Sequence, residues 1–148
     1  SQWKDLQKMD KFTKQKPDQF SYLETSETKR NIGDSYGRKI RAFLNPPEDG
    51  EYTFWLMSDD SSILQIAKPE SGNFKKVAEV ESHTGYSWNA SVRSEKIFLR
   101  KQNSYEIQII HKEGGGEDFC ALGWTLPSGK EEKPINGKYF SAPLSTKD

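Results

Sequence analysis

The chain has 148 residues, in which 22 basic side chains balance 22 acidic ones, and its pI is near 6.7. That length fits one domain, and the neutral balance argues against a polyphosphate partner, which calls for a basic patch and a high pI. No apolar run approaches the ~18 residues of a membrane helix and no signal peptide opens the chain, so neither nucleic-acid binding nor membrane insertion is expected. A hydrophobic share of 32% is low, but aromatics at 12% supply large rings of about 150–250 Å² each for a core. The single cysteine, Cys120, can form no internal disulfide. The two histidines, His83 and His111, leave no zinc-ligand set with it.

The first 35 residues are polar, with scattered anchors at Trp3, Leu6, Met9, Phe12, Phe20, Tyr22 and Leu23. Leu6, Met9 and Phe12 are spaced for a helical turn, although an irregular segment laid across a sheet is the plainer reading. From Arg38 to Leu44 the chain reads as a strand, stopped by Asn45-Pro-Pro47 and the turn Glu48-Asp-Gly50. Residues 51–57 alternate, with Tyr52, Phe54 and Leu56 on one face and Thr53, Trp55 and Met57 on the other. The Pro/Gly turn between these strands predicts that they pair with each other. Ser58-Asp59-Asp60-Ser61 interrupts, and strands follow at 62–67 and 74–80.

Residues 81–92 form a loop carrying His83, Tyr86 and Trp88. A short β segment at 96–99 leads to the clearest strand, 104–111, with Tyr105, Ile107 and Ile109 on one face. Glu113-Gly-Gly-Gly-Glu-Asp118 breaks it, the strand 119–124 returns, and a tail punctuated by Pro127, Gly129, Pro134 and Gly137 closes the chain. Many short strands with frequent turns, and no strongly periodic long helix, predict a single all-β domain: an antiparallel β-sandwich or barrel with long loops at one end.

Three features could carry chemistry. Asp59-Asp60 places two carboxylates side by side, which repel unless a cation or donors compensate. A hard cation such as calcium takes six to eight oxygens, while a solvated turn is the plainer alternative. In the run 111–118 three glycines let backbone turn sharply among Glu113, Glu117 and Asp118. That run is a metal loop or a charged hairpin, and it lacks the lysine and following helix of a phosphate cradle. In the third, Tyr86 or Trp88 could stack on a sugar, although a tryptophan is more often core cover. Asn89-Ala-Ser91 matches the N-glycosylation sequon. Trp55 and Trp124 fall inside strand patterns and read as core, and Cys120 reads as a small buried hydrophobe. A catalytic carboxylate pair needs a deep cleft between its members, so no catalytic residues are assigned and an enzyme is not expected.

Gly50-Glu-Tyr-Thr-Phe-Trp-Leu-Met-Ser-Asp-Asp60, with Ser62-Ile-Leu-Gln-Ile66, resembles the protective-antigen-type (PA-fourteen) domain. Residues 37–44, Tyr105-Glu-Ile-Gln-Ile-Ile-His-Lys-Glu-Gly-Gly-Gly116, Ala121-Leu-Gly-Trp124, and Pro134-Ile135 before Tyr139-Phe140 fit the same family in the same order. The resemblance runs from about Arg30 to the end, with a looser match around Trp3, and is strongest to versions in extracellular bacterial proteins, adhesins and fibrocystin-like receptors. It implies a β-sandwich lectin module. In fungal adhesins of the family an Asp-Asp pair joined by a cis peptide binds calcium, and the calcium binds sugar hydroxyls. Asp59 and Asp60 occupy that pair here, and the resemblance implies Asp118 as a further ligand with Glu117 in reserve. Where many relatives carry an asparagine in the second loop, this chain has Phe119: the missing amide would weaken the site, or Phe119 would open the next strand while backbone carbonyls complete the shell.

The resemblance therefore implies a calcium-dependent glycan- or polysaccharide-binding module of a secreted or cell-surface protein. It would be a monomeric unit, residues 1–148, tethered within a larger multidomain chain. Asp59, Asp60, His83, Tyr86, Trp88 and Phe119 are the expected ligand contacts, and calcium the expected cofactor. The alternative is a structural or protein–protein interaction module whose calcium serves stability alone.

Overall fold

A computed structural model describes residues 36–113 and 119–141. Among the described residues, ten strands build two antiparallel sheets. The first contains β1 (Tyr36–Leu44), β3 (Ser62–Ala67), β4 (Lys75–Val80), β7 (Tyr105–Glu113) and β10 (Phe140–Ser141), in the order β10-β1-β7-β3-β4. The second contains β2 (Gly50–Asp59), β5 (Val92–Arg93), β8 (Phe119–Thr125) and β9 (Glu131–Glu132), in the order β5-β2-β8-β9, with β6 (Ile97–Leu99) pairing β2 as well. Every pairing is antiparallel. The expected all-β sandwich is the observed fold.

Alternation along the strands fills the gap between the sheets. Tyr52, Phe54 and Leu56 of β2 and Cys120, Leu122 and Trp124 of β8 meet Tyr105, Ile107 and Ile109 of β7 and Leu64 and Ile66 of β3 in one buried cluster. Trp124 is its centre, fully buried, with its ring 4.9 Å from that of Tyr52 and 5.3 Å from that of Tyr139. Its indole N–H would be costly to bury unpaired, and it donates to Glu132 Oε1 at 2.9 Å.

The opposite face of the second sheet is also covered. Met57, Phe119 and Ala121 form a smaller buried cluster there, packed against Trp88. Trp55, expected in the core, is buried on this outer side instead. Lys133 Nζ lies 3.5 Å and Arg93 Cζ 4.3 Å from its ring centres, so long cationic side chains shield it.

The expected pairing of the first two strands is corrected. β1 pairs β7 and β10, whereas β2 pairs β5, β6 and β8, so the two lie in different sheets. Pro46 and Pro47 donate no N–H to a ladder, and the turn carries the chain across the sandwich instead of folding it back. Tyr52 fastens this crossing by donating its hydroxyl to Glu48 O at 2.6 Å. Gly50 then has φ +147, and a Cβ there would meet Pro127 at 2.6 Å, so glycine alone fits. The next connection, Asp60-Ser61, also crosses, carrying the chain from β2 in the second sheet to β3 in the first.

Candidate functional site

The Asp59–Asp60 crossing sits at the end of the sandwich where β2 and β7 finish and β3 and β8 begin. Asp59 is paired with Phe119, and Ser62 with His111. Both aspartates are half-buried, and the peptide between them is cis. Their backbone is held from three directions. His111 Nε2 donates to Asp59 O at 2.7 Å, and the Ser58 hydroxyl donates to Asp60 O at 2.8 Å. Asp60 N–H donates to Lys112 O at 3.1 Å, and Lys112 N–H to Ser61 O at 2.9 Å. Ser58 has spent its one proton on Asp60, so in the 2.6 Å contact between Ser58 Oγ and Ser62 Oγ the donor is Ser62. Ser58, Ser61, Ser62 and His111 are fully buried. The corner is thus underlain by a small buried polar layer of three serines and His111.

Residues 81–91 close over the adjoining face. Thr84 N–H donates to Ser58 O at 2.7 Å, Ser58 N–H donates back to Thr84 Oγ1 at 3.1 Å, and an isolated antiparallel bridge joins Asp59 to His83. The loop is therefore stitched to the last residues of β2, and exposed His83 lies directly beside Asp59. Farther along, the Tyr86 ring stands edge-on to Phe119, with centroids 4.9 Å apart at 83°, and remains 40% exposed. Trp88 begins the short 3₁₀ turn Trp88–Ala90, capped by Ser87, and is half-buried against Met57, Phe119 and Ala121.

Of the expected site residues, Asp59, Asp60, His83, Tyr86, Trp88 and Phe119 are linked by these contacts at one end of the molecule. Glu117 and Asp118 lie outside the described residues. Phe119 is 1% exposed and packs beneath Tyr86, and its backbone opens β8 opposite Asp59, in line with the expectation that it opens the next strand. The exposed aromatic is Tyr86. Residue-by-residue reading missed Ser58, Thr84 and His111 as supports for the pair, because their partners lie as far as 52 positions away.

The oxygen-only character of the pair suits a hard cation. The two carboxylates are the anionic oxygens that the pair can offer an ion. Among the described residues no group of three or more Asp, Glu, His or Cys is placed to hold a metal ion. A cleft lined by Glu51, Thr53, Lys96, Thr125 and Leu126 lies toward the other end of β2; Asp59 comes eight positions after Glu51, roughly 26 Å of strand. That cleft is remote from the carboxylate pair.

The sandwich is a fold shared with solved lectin domains. Epithelial adhesin 6 A domain from Candida glabrata, solved in complex with Galβ1-3GlcNAc, superposes with a TM-score of 0.57 at 16% identity, covering 78% of this chain and 58% of that one. The epithelial adhesin 9 A domain from the same organism, with the same disaccharide, gives 0.56 at 15%, covering 72% and 51%. A PA14 sugar-binding domain from an RTX adhesin gives 0.55 at 18%, covering 71% and 53%. The chain belongs to the PA14 domain family, whose model matches residues 4–138. Curated relatives include the mouse N-acetyl-beta-glucosaminyl-glycoprotein 4-beta-N-acetylgalactosaminyltransferase 1, 27% identical over 117 residues, and mouse fibrocystin-L, 27% identical over 94. The matches cover 71% and 61% of this chain, but only 11% and 2% of those much longer proteins.

Proposed function

We propose that this domain is a glycan-binding module of a secreted or cell-surface protein, reading sugars at the Asp59–Asp60 corner with a calcium ion. The observation that carries the reading is the placement of two adjacent carboxylates at the end of the sandwich, beside an exposed tyrosine, in a PA14 domain. The co-crystallised galactosides of the adhesin structures support the ligand class. Asp59 and Asp60 would hold the ion, with Asp118, the residue before Phe119, and Glu117 as further ligands. Bound calcium would offer open coordination positions to two vicinal sugar hydroxyls.

The chain's own residues do the rest. Asp59 and Asp60 carry the charge and hold it at a fixed corner. Tyr86 offers a ring face braced from below by Phe119, suited to the apolar face of a pyranose. The Thr84–Ser58 hydrogen bonds tie the loop from 81 to 91 to β2, with His83 beside Asp59 and Tyr86 against Phe119, the residue opposite Asp59. Hydroxyls exchange with water on the ion at nearly equal cost, and little apolar area is covered, so single-site affinity should be weak. A Kd on the order of 0.1–10 mM is expected, with useful avidity arising from repetition or tethering.

The test is a glycan array probed with the multimerised domain in calcium and in chelator. Calcium-dependent capture of galactosides or other sugars with suitable vicinal hydroxyls, lost in Asp60→Ala, is the expected result. A calcium-binding domain that captures no glycan would instead make this a structural or protein-interaction module.

A further inference from the structure

We infer that His111 is a positioning residue for the carboxylate pair, acting across the sandwich on the Asp59 backbone. The inference rests on the calcium reading of that pair and deepens it. Along β7, Tyr105, Ile107 and Ile109 face the core, and alternation gives His111 the same face. The row therefore calls for another aliphatic side chain at 111. An imidazole stands there instead, 0% exposed, where burying a polar ring is costly without a compensating partner. Its Nε2 meets the carbonyl of Asp59 at 2.7 Å. A carbonyl only accepts, so Nε2 carries the proton.

This contact joins the two sheets. His111 lies on β7 in the first sheet and Asp59 ends β2 in the second. The residue after His111 completes the grip, because Lys112 O accepts the Asp60 N–H at 3.1 Å. The end of β7 thus fixes both aspartates by their backbone, Asp59 through a side chain and Asp60 through a main chain. On the other side of the corner, Ser58 holds Asp60 O and Ser62 holds Ser58. With both backbone carbonyls engaged below, the two carboxylates share a fixed corner before any ion arrives. Pre-arranged ligands lose less freedom on binding, which raises affinity with no added contact.

Three substitutions separate positioning from packing. His111→Gln keeps an N–H donor at a reach close to that of Nε2. His111→Asn keeps the amide but shortens the reach by one methylene. His111→Leu keeps the bulk without the donor. Two quantities are measured on the whole chain: calcium affinity by titration calorimetry, and hydrogen exchange at the Asp60 amide in chelator. We expect the Leu and Asn variants to bind calcium at least tenfold more weakly and to exchange the Asp60 amide at least tenfold faster. The Gln variant is expected to recover most of both.

Should the Leu variant not fold, the Gln–Asn comparison carries the test alone, since those two share their chemistry. Calcium affinity and Asp60 exchange equal to wild type in every folded variant would overturn the inference, as would a Gln variant no better than Asn. If the wild-type protein itself takes up no calcium, the functional reading falls. Asp60 exchange in the metal-free protein then still decides whether His111 holds the corner.

Discussion

Replacing Thr84 by valine removes one hydroxyl and almost no volume, at the point where the 81–91 loop is tied to β2. Thr84 is 8% exposed, and its Oγ1 accepts the N–H of Ser58, which is fully buried. Valine leaves that N–H unpaired. A buried donor stripped of its acceptor costs about 1–3 kcal/mol, and no cavity term adds to it because the two side chains are nearly isosteric. For a chain of this size, about 2–4 °C of melting temperature accompanies each kcal/mol. A loss near 2 kcal/mol should therefore lower the melting point by about 6 °C in calorimetry. Thr84→Ser keeps the acceptor and gives up only a methyl, so it should fall by half as much or less. Hydrogen exchange at the Ser58 amide gives a local reading of the same bond and should quicken in the valine variant alone. Equal melting of Thr84→Val and wild type, or serine falling as far as valine, would refute the argument that this hydroxyl holds the loop in place.

Asp60→Ala should abolish calcium uptake in titration calorimetry, yet melt with the wild type in chelator, because the side chain is half-exposed and outside the core. In calcium at a hundredfold excess over Kd the wild type alone gains about 2.7 kcal/mol, so the two melting curves should part when the ion is added. Ile107→Ala truncates a side chain 3% exposed in the main cluster and should cost about 2–5 kcal/mol in urea denaturation. Tyr86→Ala should weaken glycan capture while leaving the melting point within a degree or two, whereas Phe119→Ala, buried beneath it, should destabilise by about 3–5 kcal/mol.

The Tyr52 hydroxyl gives a pH signature. Burial above all pushes its pKa up to about 12. A raised phenol contributes stability below pH 10 that is lost as pH climbs from 10 toward 12. Lys39, lowered chiefly by burial, moves stability the other way in alkali, but equally in both proteins compared. The stability gap between wild type and Tyr52→Phe should consequently narrow between pH 9 and 11.5 in denaturant titrations. A constant gap would contradict the assignment.

Much of the fold was legible because strand signals are local. Alternation at 51–57 sorts Tyr52, Phe54 and Leu56 from Thr53, Trp55 and Met57, and the structure puts those rows on opposite faces. Which strands become neighbours is not local. Asn45-Pro-Pro47 reads as a hairpin stop, yet serves a crossing between sheets, since a proline-bearing turn fits both. The two-residue strands β5, β9 and β10 are too short to show a period. At the site, Asp59 and Asp60 stand out as adjacent like charges. Their supports do not, because His111 reads as the end of a strand and Thr84 as an ordinary loop residue until the strands are brought together. Phe119 stands at a loop–strand boundary, where a ring can face either way, and it packs beneath Tyr86.

The central claim is that Asp59 and Asp60 hold a calcium ion through which a sugar is bound. Crystals grown in saturating calcium with a galactoside test it most directly. The account expects one ion with carboxylate oxygens of Asp59 and Asp60 at about 2.3–2.6 Å, two hydroxyls of one sugar ring on the same ion, and the ring beside Tyr86. A well-ordered corner holding only water at saturating calcium, or an ion enclosed by protein with the sugar bound elsewhere, would contradict it.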